Sequence, residues 1–398
     1  MMSLRFAVVL AAFIALIVDS MAPDAITDLM SAAHPLLPSA PVLEALLCVL
    51  MFAAAVQLRP QGPWRTVVLT GNLVALTTVL AVAMVAAGTR WVCNRIGIDL
   101  SPALAFAFAA LITPTEPLAM LRAAALGGSA AIGRRVMAEP LLACMAGLVI
   151  YEIALARSEG YRGAISAMVL EQAGGAVLLG MCLGLATLWL VRIRPGAALA
   201  ALAAVGAVAV SWYAGRMLPL NGPFAAACAG LFMAFQRDAF FGDVEQRERF
   251  ETWSARVANG LSALLPLALV ISLLAGGEIS GHHLAAAVFL LPLIIVLPRV
   301  LAAAAVWLIG LRVPMPTELP KVAAWSGVRG GFAVALVLML PATAGAEMVA
   351  VATLVVLLFS LLMQWPAYGL YLLAKRPLAQ VPVEEPGEAV DGSNQTRE

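Results

Sequence analysis

The sequence has 398 residues, 63% of them hydrophobic and 12% charged, with 24 Lys and Arg against 23 Asp and Glu. Apolar content spread over the whole length, at a mean hydropathy of +0.96, excludes a soluble globular chain and implies a polytopic membrane protein. The formal net charge of +1 comes with no basic cluster for nucleic acid, and the five cysteines are scattered singly rather than as a disulfide framework.

At roughly 20 apolar residues per crossing, an all-α reading of the chain gives about 12 transmembrane spans. The first, Leu4–Val18 (LRFAVVLAAFIALIV), is followed by DSMAPD rather than by a small-residue cleavage site, so it reads as a helix and not a signal peptide. Val42–Leu58, Trp64–Ala87, Ala103–Leu126, Val136–Ala156 and Gly163–Val191 complete the first half. The second half holds Ala197–Tyr213, Gly222–Phe235, Ala258–Leu274, Leu284–Leu308, Leu319–Leu340 and Met348–Leu373. Residues 1–374 thus form one transmembrane domain, and 375–398, ending PVEEPGEAVDGSNQTRE, a short disordered tail with no further soluble domain. With the N-terminus in the cytoplasm, 16 cations fall inside and five outside. That bias puts both termini in the cytoplasm of an inner (plasma) membrane of bacterial type.

Three arginines, Arg122, Arg299 and Arg329, fall at membrane depth, with four carboxylates, Glu116, Glu139, Glu152 and Glu171. An ionised side chain at the bilayer centre costs about 2.5–3.5 kcal/mol, so such residues face the protein interior and are candidates for function. Glu152, near the outer mouth, and Glu171, near an interface, read better as structural residues than as functional ones. His34, His282 and His283 fall on outer loops.

The fourth span is interrupted by LITPTEPLAM, 111–120. Pro114 and Pro117 remove backbone donors and break the helix near its middle. The freed backbone groups are tolerated only where protein buries them or a wet cavity meets them. Thr113 and Thr115 add hydroxyls, and Glu116 adds a carboxylate at the positive end of the half-helix that Pro117 opens. The eleventh span has a matching fault, in which Gly327, Gly330 and Gly331 surround Arg329. Spans seven apart run in opposite directions, and paired breaks in inverted halves point to the binding site of a secondary transporter. A lone kink capped by a nearby Glu is the plainer reading of either fault alone.

At these residues the sequence resembles the monovalent cation:proton antiporters, in their Na⁺/H⁺ exchanger branch. TPTEP at 113–117 resembles the family's S/T-P-T-D-P, WSGVRGG at 325–331 its A-G-L-R-G, and VVLLFSLLMQ at 355–364 its last-helix V-V-L-F-S-L-L-V-Q. Softer similarity covers LLCVLMFAAAVQL, GAVLLGMCLGLA, GPFAAACAGLFMAF and the stretch around Leu297–Leu311. The resemblance implies an inverted-repeat antiporter fold in which an ion-carrying bundle, crossed by two broken helices, works by alternating access against a scaffold that commonly forms a homodimer. It also implies a structural ion pair between Glu139 and Arg329, and a possible charge-compensating role for Arg299.

The departures from the family lie in the chemistry. The family's E-S-L-L-N-D-G, whose Asp is its main cation and proton site, corresponds here to Glu139, Pro140, Leu141, Leu142, Ala143, Cys144 and Met145, so the Asn-Asp pair has become Ala-Cys. A family Phe-Glu reads Phe52-Ala53, and the Asp of T-P-T-D-P is Glu116. Na⁺ wants several hard oxygen ligands, for which a neutral thiol is a poor substitute. The ion- and proton-binding candidates are therefore Glu116, Thr113, Thr115 and Cys144, with Glu116 the strongest and Cys144 read as packing or pore lining rather than as a proton carrier.

Exchange of protons for Na⁺ or K⁺ is the expected function, with membrane lipid around the chain and no cofactor. Two alternatives keep the fold. Loss of acids at Ala53 and Cys144 suits an anion or a small metabolite, and a transport-inactive homologue would fold without flux. An enzyme is not expected, because the sequence has no nucleophile–base set, phosphate loop or metal-ligand cluster.

Overall fold

The computed structural model describes residues 37–58, 64–118, 138–193, 197–236, 244–276, 281–310 and 329–364, apart from 342 and 344. The expected span Leu4–Val18, the second half of the fourth span, Arg122, Gly327, His34 and the tail from Lys375 lie outside the described residues.

All the regular elements described are helices: α1 Ala40–Val56, α2 Trp64–Ile96, α3 Pro102–Ile112, α4 Ala138–Ser158, α5 Ile165–Ile193, α6 Ala197–Met217, α7 Gly222–Phe235, α8 Val244–Gly276, α9 Gly281–Gly310, α10 Gly331–Leu338 and α11 Ala346–Phe359. Six of these (α2, α4, α5, α6, α8 and α9) are long and apolar enough to cross a membrane, and α1, α3, α7 and α11 are shorter apolar helices. Large apolar side chains face outward along them, as Leu178, Leu185 and Trp189 do on α5 and Phe289, Val296 and Trp307 on α9. That is the surface of a protein solvated by lipid.

Local chemistry sets the helix ends. Ser101 and Asn221 accept from the Leu104 and Phe224 amides at 3.2 and 2.8 Å, each followed at the first helical turn by a proline. α8 starts at Val244 rather than at the expected Ala258, because its first turns are a polar helix laced by Arg249–Glu245 at 2.5 Å and Arg247–Glu251 at 3.8 Å. α5 carries a π turn at Leu170–Gly174, with Glu171 exposed in it.

Packing divides the helices into two groups. α7 is held between α1 and α5, with α6 against it, around a cluster that includes Cys48, Phe52, Leu188, Ala204 and Met233. Small residues make this possible: a Cβ on Gly230 would lie 2.8 Å from the Phe52 carbonyl oxygen. The second group packs α2 on α9, α3 on α4, and α9 on α11. α8 lies on the seam, against α1 on one side and α10 and α11 on the other.

Candidate functional site

α3 is apolar and ends where its donors run out. Thr113 still donates its amide to Ala109 O at 3.0 Å, but Pro114 has none for Ala110 O, and the chain is irregular through Thr115 and Glu116 before turning helical at Pro117. The break is enclosed by protein, since every residue from Ala107 to Leu118 is buried. Gly147 of α4 lets the two helices meet there: a Cβ on it would lie 2.8 Å from Ala110 O and 2.9 Å from Pro114 Cγ.

One turn earlier on α4, the Cys144 thiol donates to the Thr115 carbonyl at 3.5 Å. Cys144 therefore does sit at the broken backbone, as a donor to a carbonyl that the helix no longer serves. The hydroxyls of Thr113 and Thr115 are buried and, among the described residues, without a hydrogen-bond partner. Buried hydroxyls rarely go unsatisfied, and these two are oxygen donors suited to a hard cation beside a carboxylate.

The second break meets the first. Arg329 and Gly330 are non-helical and α10 begins at Gly331. A Cβ on Gly330 would collide with the Glu116 carboxylate, so the backbone there runs flush against the acid. Ser262 of α8 joins the two: its hydroxyl donates to Glu116 Oε1 at 2.8 Å and accepts from the Gly331 amide at 3.2 Å. Glu116, only 5% exposed, thus lies at the start of a helix whose first amide reaches it through a hydroxyl, at the favourable end of the helix dipole.

Arg329 is held by two backbone carbonyls, one at the end of α3 and one inside α9. Its Nε donates to Ile112 O, the last residue of α3, at 2.6 Å, and its Nη2 donates to Ile294 O at 2.9 Å. Ile294 stands four residues before Pro298, which cannot supply the amide that carbonyl would otherwise receive. The Arg329 amide donates to Ser360 Oγ at 2.8 Å.

Glu139 has both Arg299 and Arg329 as charged neighbours. Glu139 makes its ion pair with Arg299, Oε1 to Nη2 at 3.7 Å, and both side chains are buried. Two carbonyls hold the Arg329 guanidinium between the breaks, while Arg299, next along from Pro298, reaches Glu139. Glu116, Glu139, Arg299 and Arg329 together carry two formal charges of each sign.

The structure thus gathers Thr113, Thr115, Glu116 and Cys144 at one break, Arg329 at the other, and Glu139 with Arg299 beside them. Sequence reasoning missed Ser262 and Ser360. The usable signal for Ser262 was a hydroxyl four residues before Pro266 in an otherwise apolar stretch, LSALLPLALV.

With this geometry in place, comparison with known proteins gives a consistent result. The family described as sodium/hydrogen exchanger, transmembrane, matches residues 6–368. A structure of the sodium proton antiporter MjNhaP1 from Methanocaldococcus jannaschii at pH 8 is similar, with a TM-score of 0.64 and 16% identity over 93% of this chain and 98% of that one. A structure of MjNhaP1 from electron microscopy is similar at a TM-score of 0.59 and 17% identity, covering 94% and 97%. The chain therefore has the antiporter fold. No curated protein sequence matches it.

Proposed function

The chain belongs to the sodium/hydrogen exchanger family, and from that premise we propose that it exchanges a monovalent cation, Na⁺ or K⁺, for protons at the single carboxylate of Glu116. The observation that carries this reading is the convergence of both broken helices on Glu116, with the Ser262 hydroxyl at 2.8 Å. Thr113 and Thr115 supply hydroxyl oxygens, and the Thr115 carbonyl adds another once the Cys144 thiol turns away. One carboxylate shared by two competitors gives one-for-one, electroneutral exchange. Alternating access follows from movement of the α2–α4 and α9–α11 group against the scaffold of α1 and α5–α7, which we expect to dimerise. The positive-inside bias supports an inner-membrane protein with cytoplasmic termini.

The arginines favour cation over anion as cargo. Arg329 is engaged by two carbonyls and Arg299 by Glu139, so neither offers a bare positive charge to an anionic solute.

The test is proton flux in reconstituted vesicles under a pH gradient, with Na⁺, K⁺ or Li⁺ added in turn. Native protein should move protons on addition of a cation, and Glu116→Gln should not. Full exchange by Glu116→Gln would refute the site. Folded native protein inert to every cation would favour another cargo or a transport-inactive homologue.

A further inference from the structure

An exchanger is useful only if its empty form stays still. A carrier that reoriented with neither proton nor cation would leak one of them down its gradient. A contact that the carboxylate makes when unloaded and weakens when loaded would enforce this rule.

Ser262 is placed to make such a contact. It lies on α8, at the seam, while its two partners belong to the crossing: Glu116 follows the break of α3, and Gly331 opens α10. The hydroxyl is buried, and its single proton goes to Glu116 Oε1 at 2.8 Å while a lone pair takes the Gly331 amide at 3.2 Å. The fit is tight, since a Cβ on Gly331 would lie 2.6 Å from Ser262 Oγ and 3.0 Å from Ser262 Cα. Any displacement of the crossing along α8 must break both bonds at once. Pro266, four residues on, leaves the Ser262 carbonyl without its helical donor, so α8 is itself irregular at this point.

The strength of this contact depends on what Glu116 carries. A hydroxyl donating to an ionised carboxylate makes a charge-assisted bond, roughly twice as strong as a neutral one. A proton on Glu116 removes that charge, and a bound cation competes for the same oxygen. The contact is therefore strongest in the empty, ionised carrier and weaker in both loaded forms.

We propose that Ser262 is a latch across the seam, a positioning residue that holds the unloaded carrier in place and lets it move only with a proton or a cation on Glu116. The proposal rests on the reading of Glu116 as the exchange site and adds the device that couples the two fluxes. It assigns to Ser262 a role in tightness of coupling rather than in cation choice.

The experiment compares native protein with Ser262→Ala in vesicles carrying a pH gradient in choline buffer, with tetraphenylphosphonium to balance charge. Without alkali cation the native protein should hold the gradient. Ser262→Ala should dissipate it about tenfold faster, the factor that separates a charge-assisted from a neutral hydrogen bond. Adding Glu116→Gln to Ser262→Ala should return the leak to that of protein-free vesicles. Ser262→Cys, isosteric but a weaker donor, should leak at an intermediate rate, and it provides the same reading if the alanine variant proves unstable. A merely structural serine would slow exchange without opening a leak, and that outcome overturns the latch. So does a Ser262→Ala protein as tight as the native one. If Glu116→Gln still exchanges, the exchange site itself is wrong and the latch falls with it. If Glu116→Gln is inactive while Ser262→Ala stays tight, only the latch fails.

Discussion

Arg329 donates through Nη2 to the carbonyl of Ile294, 2.9 Å away, the acceptor that Pro298 leaves without an amide in α9. An arginine on one broken crossing thus completes the backbone of a neighbouring proline-containing helix, while its Nε does the same for the end of α3. The guanidinium fork, rather than its charge alone, is what the site uses.

Replacing Arg329 by lysine should therefore not be conservative. One ammonium cannot span both carbonyls in the planar geometry of the fork. The expected loss is about 1.5–3 kcal/mol for the acceptor given up, read as a lower melting temperature in detergent. A lysine variant as stable as the native protein would show that charge alone suffices.

Glu139 and Arg299 should behave as a couple. Glu139→Gln removes the counter-charge from a buried guanidinium and should cost about 3–5 kcal/mol, as should Arg299→Gln. The double variant should cost less than the sum of the two single losses, by a coupling energy of about 1–3 kcal/mol in a thermal-melting cycle. Additive losses would mean that the 3.7 Å contact contributes little.

Gly330→Ala separates function from fold. The φ of −161° at Gly330 suits any residue, so the new methyl is expected to act through its collision with the Glu116 carboxylate. Exchange should fall by about 100-fold, the scale on which a displaced reactive group loses rate, with far less change in melting temperature. Unimpaired flux would place the working carboxylate away from α10.

Proton competition fixes the sign of the pH response. If H⁺ and the cation contend for one carboxylate, each unit fall in pH should raise the apparent KM for the cation up to about tenfold once the proton dominates, with the maximal rate unchanged. A KM flat across the acid range would argue for two separate sites.

Cys144 should tolerate exchange for another small donor. Cys144→Ser keeps a donor for the Thr115 carbonyl, and its flux should stay within about threefold of native. Cys144→Ala leaves that carbonyl unserved and should cost about 1–3 kcal/mol of stability. A serine variant without exchange would give the thiol a part that its single hydrogen bond does not suggest.

The sequence was most legible where backbone chemistry is local. Pro114, Pro117 and Gly330 announce their breaks by what they cannot do to a helix, and the charge cost of a bilayer marks Glu116, Glu139, Arg299 and Arg329 as interior. Partnerships were less legible, because they depend on how helices distant in sequence come together. The Glu139–Arg299 contact joins α4 to α9, and the Ser262 contact joins positions 146 residues apart. A serine in a greasy helix has no local mark that separates a buried bridge from a hydroxyl turned back on its own turn. Helix ends shifted for a related reason: α8 gains its first 14 residues from polar i,i+4 pairs that a count of apolar residues overlooks.

The four buried charges at the crossing have an electrical consequence. With Glu116 ionised, the group sums to zero, so a proton or a monovalent cation on that carboxylate leaves the same single positive charge in either direction of travel. Under the exchange proposed, the transmembrane voltage does equal and opposite work on the two legs, and each elementary charge is worth about 2.3 kcal/mol per 100 mV. The cycle as a whole is blind to voltage and is driven by concentration ratios alone, so its direction would reverse wherever the cation ratio overtakes the proton ratio.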